Sequence, residues 1–449
     1  MSAPDAMSES LNYPQQKRRA VASRSYRVKL NPTNGQNFVD GNTINFTLPS
    51  NLAGSYVNWS TAYMKMTVSG DQAYTLEKCG AVSMIERVQS MSAGSQICDI
   101  NSWGLLMSIL MDGDSSPAYK AGVGNVLLGT LGAMQKGEEV GSGESRTYCI
   151  PFTLHPWGLS QPHRLCPLFS SAGIEFKISL ASASKSVVAS VEPNLTYSNV
   201  ELVFVVTELS PGSQAIVDQM SGGIYNILAG SYQNVATTMN ATNTVVTANL
   251  GISVSSLERI IVCHRPTASV NSGTRFSIGN RTKNYLEQYS FYINSEQFPS
   301  RPVLVEDKGA EALAEYLLSD HSLVNFDKQS SFNIAVNGNA TLTSNGLDGN
   351  SAQLAPLEPY SDDAPTGVSA GGLNDPSTIG SFITAVELES LSQGRSDKIY
   401  SGISTISSVV TYRGQYGSSS GEAQIDFFAQ NTILLSLNTR GTNVWAVSV

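Results

Sequence analysis

Residues 83–112 read SMIERVQSMSAGSQICDINSWGLLMSILMD, and this stretch decides the fold. Met84, Arg87 and Gln89 interleave with Ile85 and Val88, the two-residue alternation of a strand. Ser92-Ala93-Gly94-Ser95 is a hinge of small residues, and Gln96-Ile97-Cys98 resumes the extended pattern. The period then changes. Trp103, Leu106, Met107, Leu110 and Met111 fall at i, i+3, i+4, i+7 and i+8, one face of an α-helix that closes on Met111-Asp112. About two hundred residues later the same events recur. Tyr289–Ile293 alternates, Asn294-Ser295-Glu296-Gln297 makes the hinge, and Ala310, Leu313, Ala314, Leu317 and Leu318 repeat the helical stripe before Ser319-Asp320. One lone helix of this kind in each half of a β-rich chain points to a duplicated domain.

Working outward, strand-like runs separated by turn signals fill both halves. The first half predicts strands at Tyr26–Leu30, Thr43–Leu48, Val57–Val68, Ala81–Ser90, Tyr148–Leu154, Ile174–Leu180 and Val200–Leu209. Pro211-Gly212 marks the boundary. The second half predicts Ile224–Leu228, Val235–Met239, Thr244–Leu250, Leu257–Cys263, Tyr285–Ile293, Phe382–Leu388, Ile403–Tyr412, Gln424–Phe428 and Ile433–Leu437. Each half also carries one long irregular connection, Gly113–Ser145 and Asn337–Gly380. The expectation is an all-β chain of two tandem eight-stranded jelly rolls, a double jelly roll, each with a short helix and a long loop. A propeller is disfavoured, because the repeat is far longer than a blade. The organisation expected is an arm at 1–25, a first jelly roll at 26–210 and a second at 211–449.

With 449 residues and 41% hydrophobic content, the chain can bury two sizeable cores. Only 14% of residues are charged, against about 25% in an average soluble protein. Ser, Thr, Asn, Gln and Gly take their place. Such a surface is common in β-proteins, and it also suits faces that neighbours will cover. The net charge of −9 is uneven: residues 1–30 set Lys17, Arg18, Arg19, Arg24, Arg27 and Lys29 against Asp5 and Glu9. The body is therefore acidic and not a nucleic-acid surface; only the basic arm can meet a polyanion. Residues 1–25 lack periodicity, as expected of a segment that orders on contact with a partner. Met1–Pro14 has no apolar run, so no secretory leader is expected. Five widely spaced cysteines then read as free thiols.

Four stretches resemble the double jelly-roll major capsid proteins of icosahedral DNA viruses, in the polinton-like, virophage and adenovirus-hexon-like lineage. They are Ser83–Trp103, YCIPFTLHPWGLSQPHRLCPLFSSAGIEFKISLA (Tyr148–Ala181), NVELVFVVTELSPGS (Asn199–Ser213), and SGISTISSVVTYRG with AQIDFFAQNTILLSLN (Ser401–Asn438). The resemblance spans nearly the whole chain in order. It implies a structural subunit whose homotrimers form pseudo-hexameric capsomers that tile a shell around the genome. Partners would be neighbouring capsomers, penton proteins and minor capsid proteins. The arm would lie on the inner surface, facing the genome or an internal membrane. The location would be the virion, assembled inside the host cell and not secreted.

No catalytic site, cofactor, resident metal or small-molecule substrate is expected. Cys149, His155, His163 and Cys166 supply zinc donors within eighteen residues. Their Cys-x5-His-x7-His-x2-Cys spacing contains only one short step, and a strand at Tyr148–Leu154 sends alternate side chains to opposite faces. Leu347–Asn350 and Ser361–Asp363 are acidic pieces without the spaced ligands of a calcium loop. Gly122-Val123-Gly124 makes no phosphate-binding fingerprint, and no Gly-x-Ser-x-Gly elbow occurs. Three other readings compete. A β-sandwich hydrolase predicts paired carboxylates in strands facing one groove, whereas the acidic residues here are scattered in loops. A single jelly-roll capsid protein with a projecting domain predicts a different second half. A tandem β-sandwich carbohydrate- or receptor-binding protein predicts a leader, disulfides or an aromatic site.

Overall fold

A computed structural model describes residues 22–131, 136–152, 154, 157–241, 243–279, 281–305, 310–320, 382–389, 401–417 and 421–448. In the first half, eight main strands pair as two antiparallel sheets, joined by shorter strands. One runs Ser23–Leu30, Leu195–Leu209, Ser55–Gly70, with Ser145–Pro151 and the short Cys166–Pro167 also pairing with Ser55–Gly70. The other runs Thr43–Thr47, Ile174–Leu180, Ile85–Ser92, Ser95–Asn101.

The second half repeats this order strand for strand. One sheet runs Ile224–Met239, Ala423–Asn438, Leu257–Pro266, Thr384–Glu387; the other runs Val245–Asn249, Val410–Tyr416, Leu286–Ile293, Glu296–Leu304. Numbered along either half, the sheets read 1-8-3-6 and 2-7-4-5, which is the jelly-roll path. The chain is a double jelly roll. The shared path argues against a second half of unrelated fold.

Local chemistry explains the elements. Ile174–Leu180, IEFKISL, buries every second residue. The hinge after Ile85–Ser92 is a two-residue turn with Ala93 at φ 51° and Gly94 at φ 80°, the left-handed geometry that matches strand twist. Asn294, at φ 57°, turns the equivalent corner of the second half.

The helices, Trp103–Asp114 and Ala310–Ser319, stand where the period changes, but they are buried differently. Every residue from Trp103 to Gly113 is buried, so the first helix is apolar nearly all round. The second buries Ala312, Tyr316 and Ser319, which is not the expected stripe; Ala310 and Leu318 on that stripe are exposed.

Other departures have local causes. Ala81–Met84 belongs to a 3-10 turn, Gly80–Met84, started by Gly80 at φ 65°. Gly113–Ser145 is not one irregular loop. It holds helices Pro117–Ala121 and Val123–Leu128 and a strand, Lys136–Val140. The last strands are longer than their apolar runs: Ile224–Met239 pairs without a break along Ala423–Asn438. Val410–Tyr416 starts later than expected, after Ser407 at φ 63°. Pro211–Ser221 is a helix, capped by the Ser210 side chain and stopped by Gly222 at φ 63°. Asn337–Gly380, Leu347–Asn350 and Ser361–Asp363 lie outside the described residues.

Candidate functional site

The residues singled out from sequence fall in separate places. Cys149 pairs with Lys65 and Cys166 with Val57, both along Ser55–Gly70. Eight residues of strand separate these positions by about 26 Å, an order of magnitude beyond a zinc–sulfur bond. Cys149 is half-buried on the sheet's outer side, whereas Cys166 is fully buried, and burial pushes its thiol up to about 12. His163 is exposed, and His155 lies outside the described residues. The structure therefore does not bring the two cysteines together. Among the described residues no group of three or more His, Cys, Asp or Glu is placed to hold a metal.

Lys17, Arg18 and Arg19 also lie outside the described residues. Arg24, Arg27 and Lys29 belong to Ser23–Leu30, the outermost strand of its sheet, which begins inside the stretch read as an arm. Arg24 meets Glu208 at 2.8 Å and Lys29 meets Glu201 at 3.4 Å. Both pairs are exposed and add little stability.

The densest chemistry lies between the two barrels. Glu77 reaches across from the first barrel and accepts the backbone N–H groups of Ser277, Ile278 and Gly279 at 2.6, 3.0 and 2.9 Å. Burial pushes its carboxyl up to about 7, against those three donors and neighbouring Lys78. Asp112, at the end of the first helix, takes Lys120 at 2.8 Å and also pairs with Lys78 and with Arg281 of the second barrel. Burial raises the Asp112 carboxyl, but the three cations outweigh it and hold it well below the usual range. Burial, with Arg281 beside it, lowers Lys78 to about 7 even though Asp112 favours its charge.

Around this network the cores merge. Ile227, Ala229, Ile261 and Cys263, on the outward side of the second barrel's 1-8-3-6 sheet, belong to the same apolar cluster as the first barrel's core. Ser95–Asn101 of the first barrel packs on Ile224–Met239, and Cys98 Sγ lies 3.3 Å from Ser231 Oγ. Elsewhere between the barrels, beside Ser277 and Ile278, is a cavity of about 140 Å3, lined by Glu86 and Lys185 on one side and Arg265 and Asn271 on the other. Its charges are matched internally, Lys185 with Glu86 at 2.9 Å and Arg265 with Asp426 at 2.9 Å.

The arrangement fixes one barrel on the other, since its buried carboxylates take backbone N–H groups and a guanidinium from the opposite barrel. Sequence reading missed Glu77, Asp112 and Arg281. The one local signal was a carboxylate, Asp112, closing an apolar helical run.

No protein-family model matches the sequence, and no curated protein matches it. Solved structures do match in fold. VP54 of PBCV-1, fitted into a reconstruction of the virophage Sputnik, superposes with a TM-score of 0.59 at 9% identity, covering 97% of this chain and 99% of that one. The Faustovirus major capsid protein gives 0.58 at 9%, covering 94% and 92%. A chain from the cryo-EM structure of the Sputnik virophage gives 0.58 at 11%, covering 100% and 93%. At such identities the likeness lies in the path of the chain. That path is the double jelly roll of viral major capsid proteins.

Proposed function

We propose that the protein is a major capsid protein, the structural subunit of an icosahedral virus shell, working by assembly and not by chemistry on a substrate. The observation that carries this reading is the strand-for-strand duplication, 1-8-3-6 and 2-7-4-5 in both halves, matched over nearly the full length by capsid proteins. Two similar wedges per chain let a homotrimer present six nearly equivalent sides, and such a unit tiles a hexagonal lattice. The units are the expected arm at 1–25, whose last residues already belong to the strand Ser23–Leu30, and jelly rolls at 26–210 and 211–449. In the particle, the capsomer meets neighbouring capsomers, penton proteins and minor capsid proteins. Lys17, Arg18, Arg19, Arg24, Arg27 and Lys29 face inward, toward the genome or an internal membrane. Assembly takes place inside the host cell, without secretion, and the working location is the virion. Negative-stain microscopy of concentrated recombinant protein tests the reading. Six-sided particles, sheets or shells support it; dispersed two-lobed particles at every concentration refute it.

A further inference from the structure

Arg281 is enclosed between the barrels at 0% exposure. The second barrel fixes its backbone: Arg281 O accepts the N–H of Phe382 at 3.2 Å, and the next residue, Thr282, donates its N–H to His264 O at 2.9 Å. The guanidinium crosses to Asp112 of the first barrel and meets it through Nη2 alone. Nε and Nη1 are buried and have no hydrogen-bond partner among the described residues.

A guanidinium holds its five N–H donors in a rigid fork, with Nε and Nη2 along one edge and Nη1 and Nη2 along another. A single carboxylate oxygen on Nη2 cannot fill both edges. At least one edge therefore faces no acceptor, which is costly for a charged donor in a protein interior. The carboxylates close by are already engaged. Asp112 also meets Lys78 and, at 2.8 Å, Lys120, both buried. Glu77 is taken up by the N–H groups of Ser277, Ile278 and Gly279. Positive charge is crowded here, since burial and then the charge of Arg281 lower Lys78 to about 7. The surroundings are partly apolar. Burial, with Asp426, raises the Cys263 thiol to about 12 against the pull of Arg265, Arg281 and Lys78. Cys263 lies with Ile261 in the apolar cluster that spans both barrels.

We infer that a small monovalent anion of the halide class binds between the barrels against the open edge of Arg281, accepting N–H groups that Asp112 leaves unpartnered. Two features select that class. The donors belong to a cation beside two more cations, so the ligand is a negatively charged acceptor. The site is wholly buried and in part apolar, so the ligand is small and leaves its water behind. Such an ion adds a negative charge where one carboxylate serves Lys78, Lys120 and Arg281. It joins residues of both barrels, so their docking is linked to halide concentration by mass action.

The test uses the full chain, with chloride as the probe. After exhaustive dialysis into sodium gluconate, whose anion is too large for a closed site, sodium chloride replaces it at constant ionic strength. Calorimetry should show the wild-type melting temperature rising by about 1–2 °C for each tenfold increase in chloride above the dissociation constant. Sodium bromide should act alike, and Arg281→Gln should lose the dependence. Crystals of the wild type grown in bromide should show an anomalous peak beside the guanidinium, a readout that stands should Arg281→Gln not fold. A wild-type melting temperature indifferent to chloride, a rise of equal size in Arg281→Gln, or a bromide map blank at Arg281 would overturn the site. None of these results bears on the capsid reading, which rests on the path of the chain.

Discussion

Glu77 of the first barrel accepts the backbone N–H of Ser277 of the second at 2.6 Å, and both residues are buried. The carboxylate also satisfies Ile278 and Gly279, so one side chain holds three donors two hundred residues away. Glu77→Ala strands three buried N–H groups at about 1–3 kcal/mol each. The expected loss is at least about 3 kcal/mol, read as a lower urea midpoint. A loss below about 1 kcal/mol would mean that this contact does not hold the barrels together.

Two buried groups give stability opposite dependences on pH. Burial lowers His264, which shares a 2.8 Å hydrogen bond with Tyr416, to about 3 from 6.5. Its contribution is present above pH 6.5 and is lost as pH falls toward 3, because the unfolded chain takes up the proton first. Glu77 is raised to about 7 from 4.5, so its contribution is present below pH 4.5 and is lost as pH rises through 7. Each slope is bounded by about 1.4 kcal/mol per pH unit. Between pH 6.5 and 4.5, acidification should therefore destabilise His264→Gln less than wild type and Glu77→Gln more. Urea midpoints across that range check both signs.

The first core is organised around Trp59. It is fully buried and meets Phe152 and Phe176 at 5.3 Å and Phe204 at 6.0 Å between ring centroids. Trp59→Ala removes the piece that the other rings pack against, with an expected loss of about 3–5 kcal/mol. Differential scanning calorimetry should show the loss as a lower unfolding temperature.

What the sequence shows and hides follows from the range of the forces involved. Ile174–Leu180 is read to the residue because alternation is a local consequence of one buried face. Trp103–Asp114 is likewise visible, since a helical stripe needs only its own period. Ile224–Met239 reads as two strands because Ala229-Gly230-Ser231 looks like a break. Pairing with Ile433, Thr432 and Asn431 keeps it extended. The helix Pro211–Ser221 buries none of its residues, so it carries no stripe; Ser210-Pro211 was its only announcement. The Cys149 and Cys166 proximity is an accident of the linear chain, because eight residues along Ser55–Gly70 separate what eighteen residues of sequence hold together. The Glu77 and Arg281 contacts depend on the docking of two barrels, which no local window contains.

The basic arm can be removed without touching the sheet if the cut respects the first strand. Ser23–Leu30 pairs along its whole length with Leu195–Leu209, so deletion should stop at residue 21. The truncated protein is expected to form the same oligomer as wild type while closing fewer shells, counted by electron microscopy. A normal yield of closed particles would remove the arm from assembly.

A cryo-EM reconstruction of the purified oligomer tests the central claim most directly. Six upright barrels around a threefold axis, alternating between the first and second halves of three chains, is the predicted result. Particles holding a single pair of barrels, or rings of any other symmetry, would contradict it.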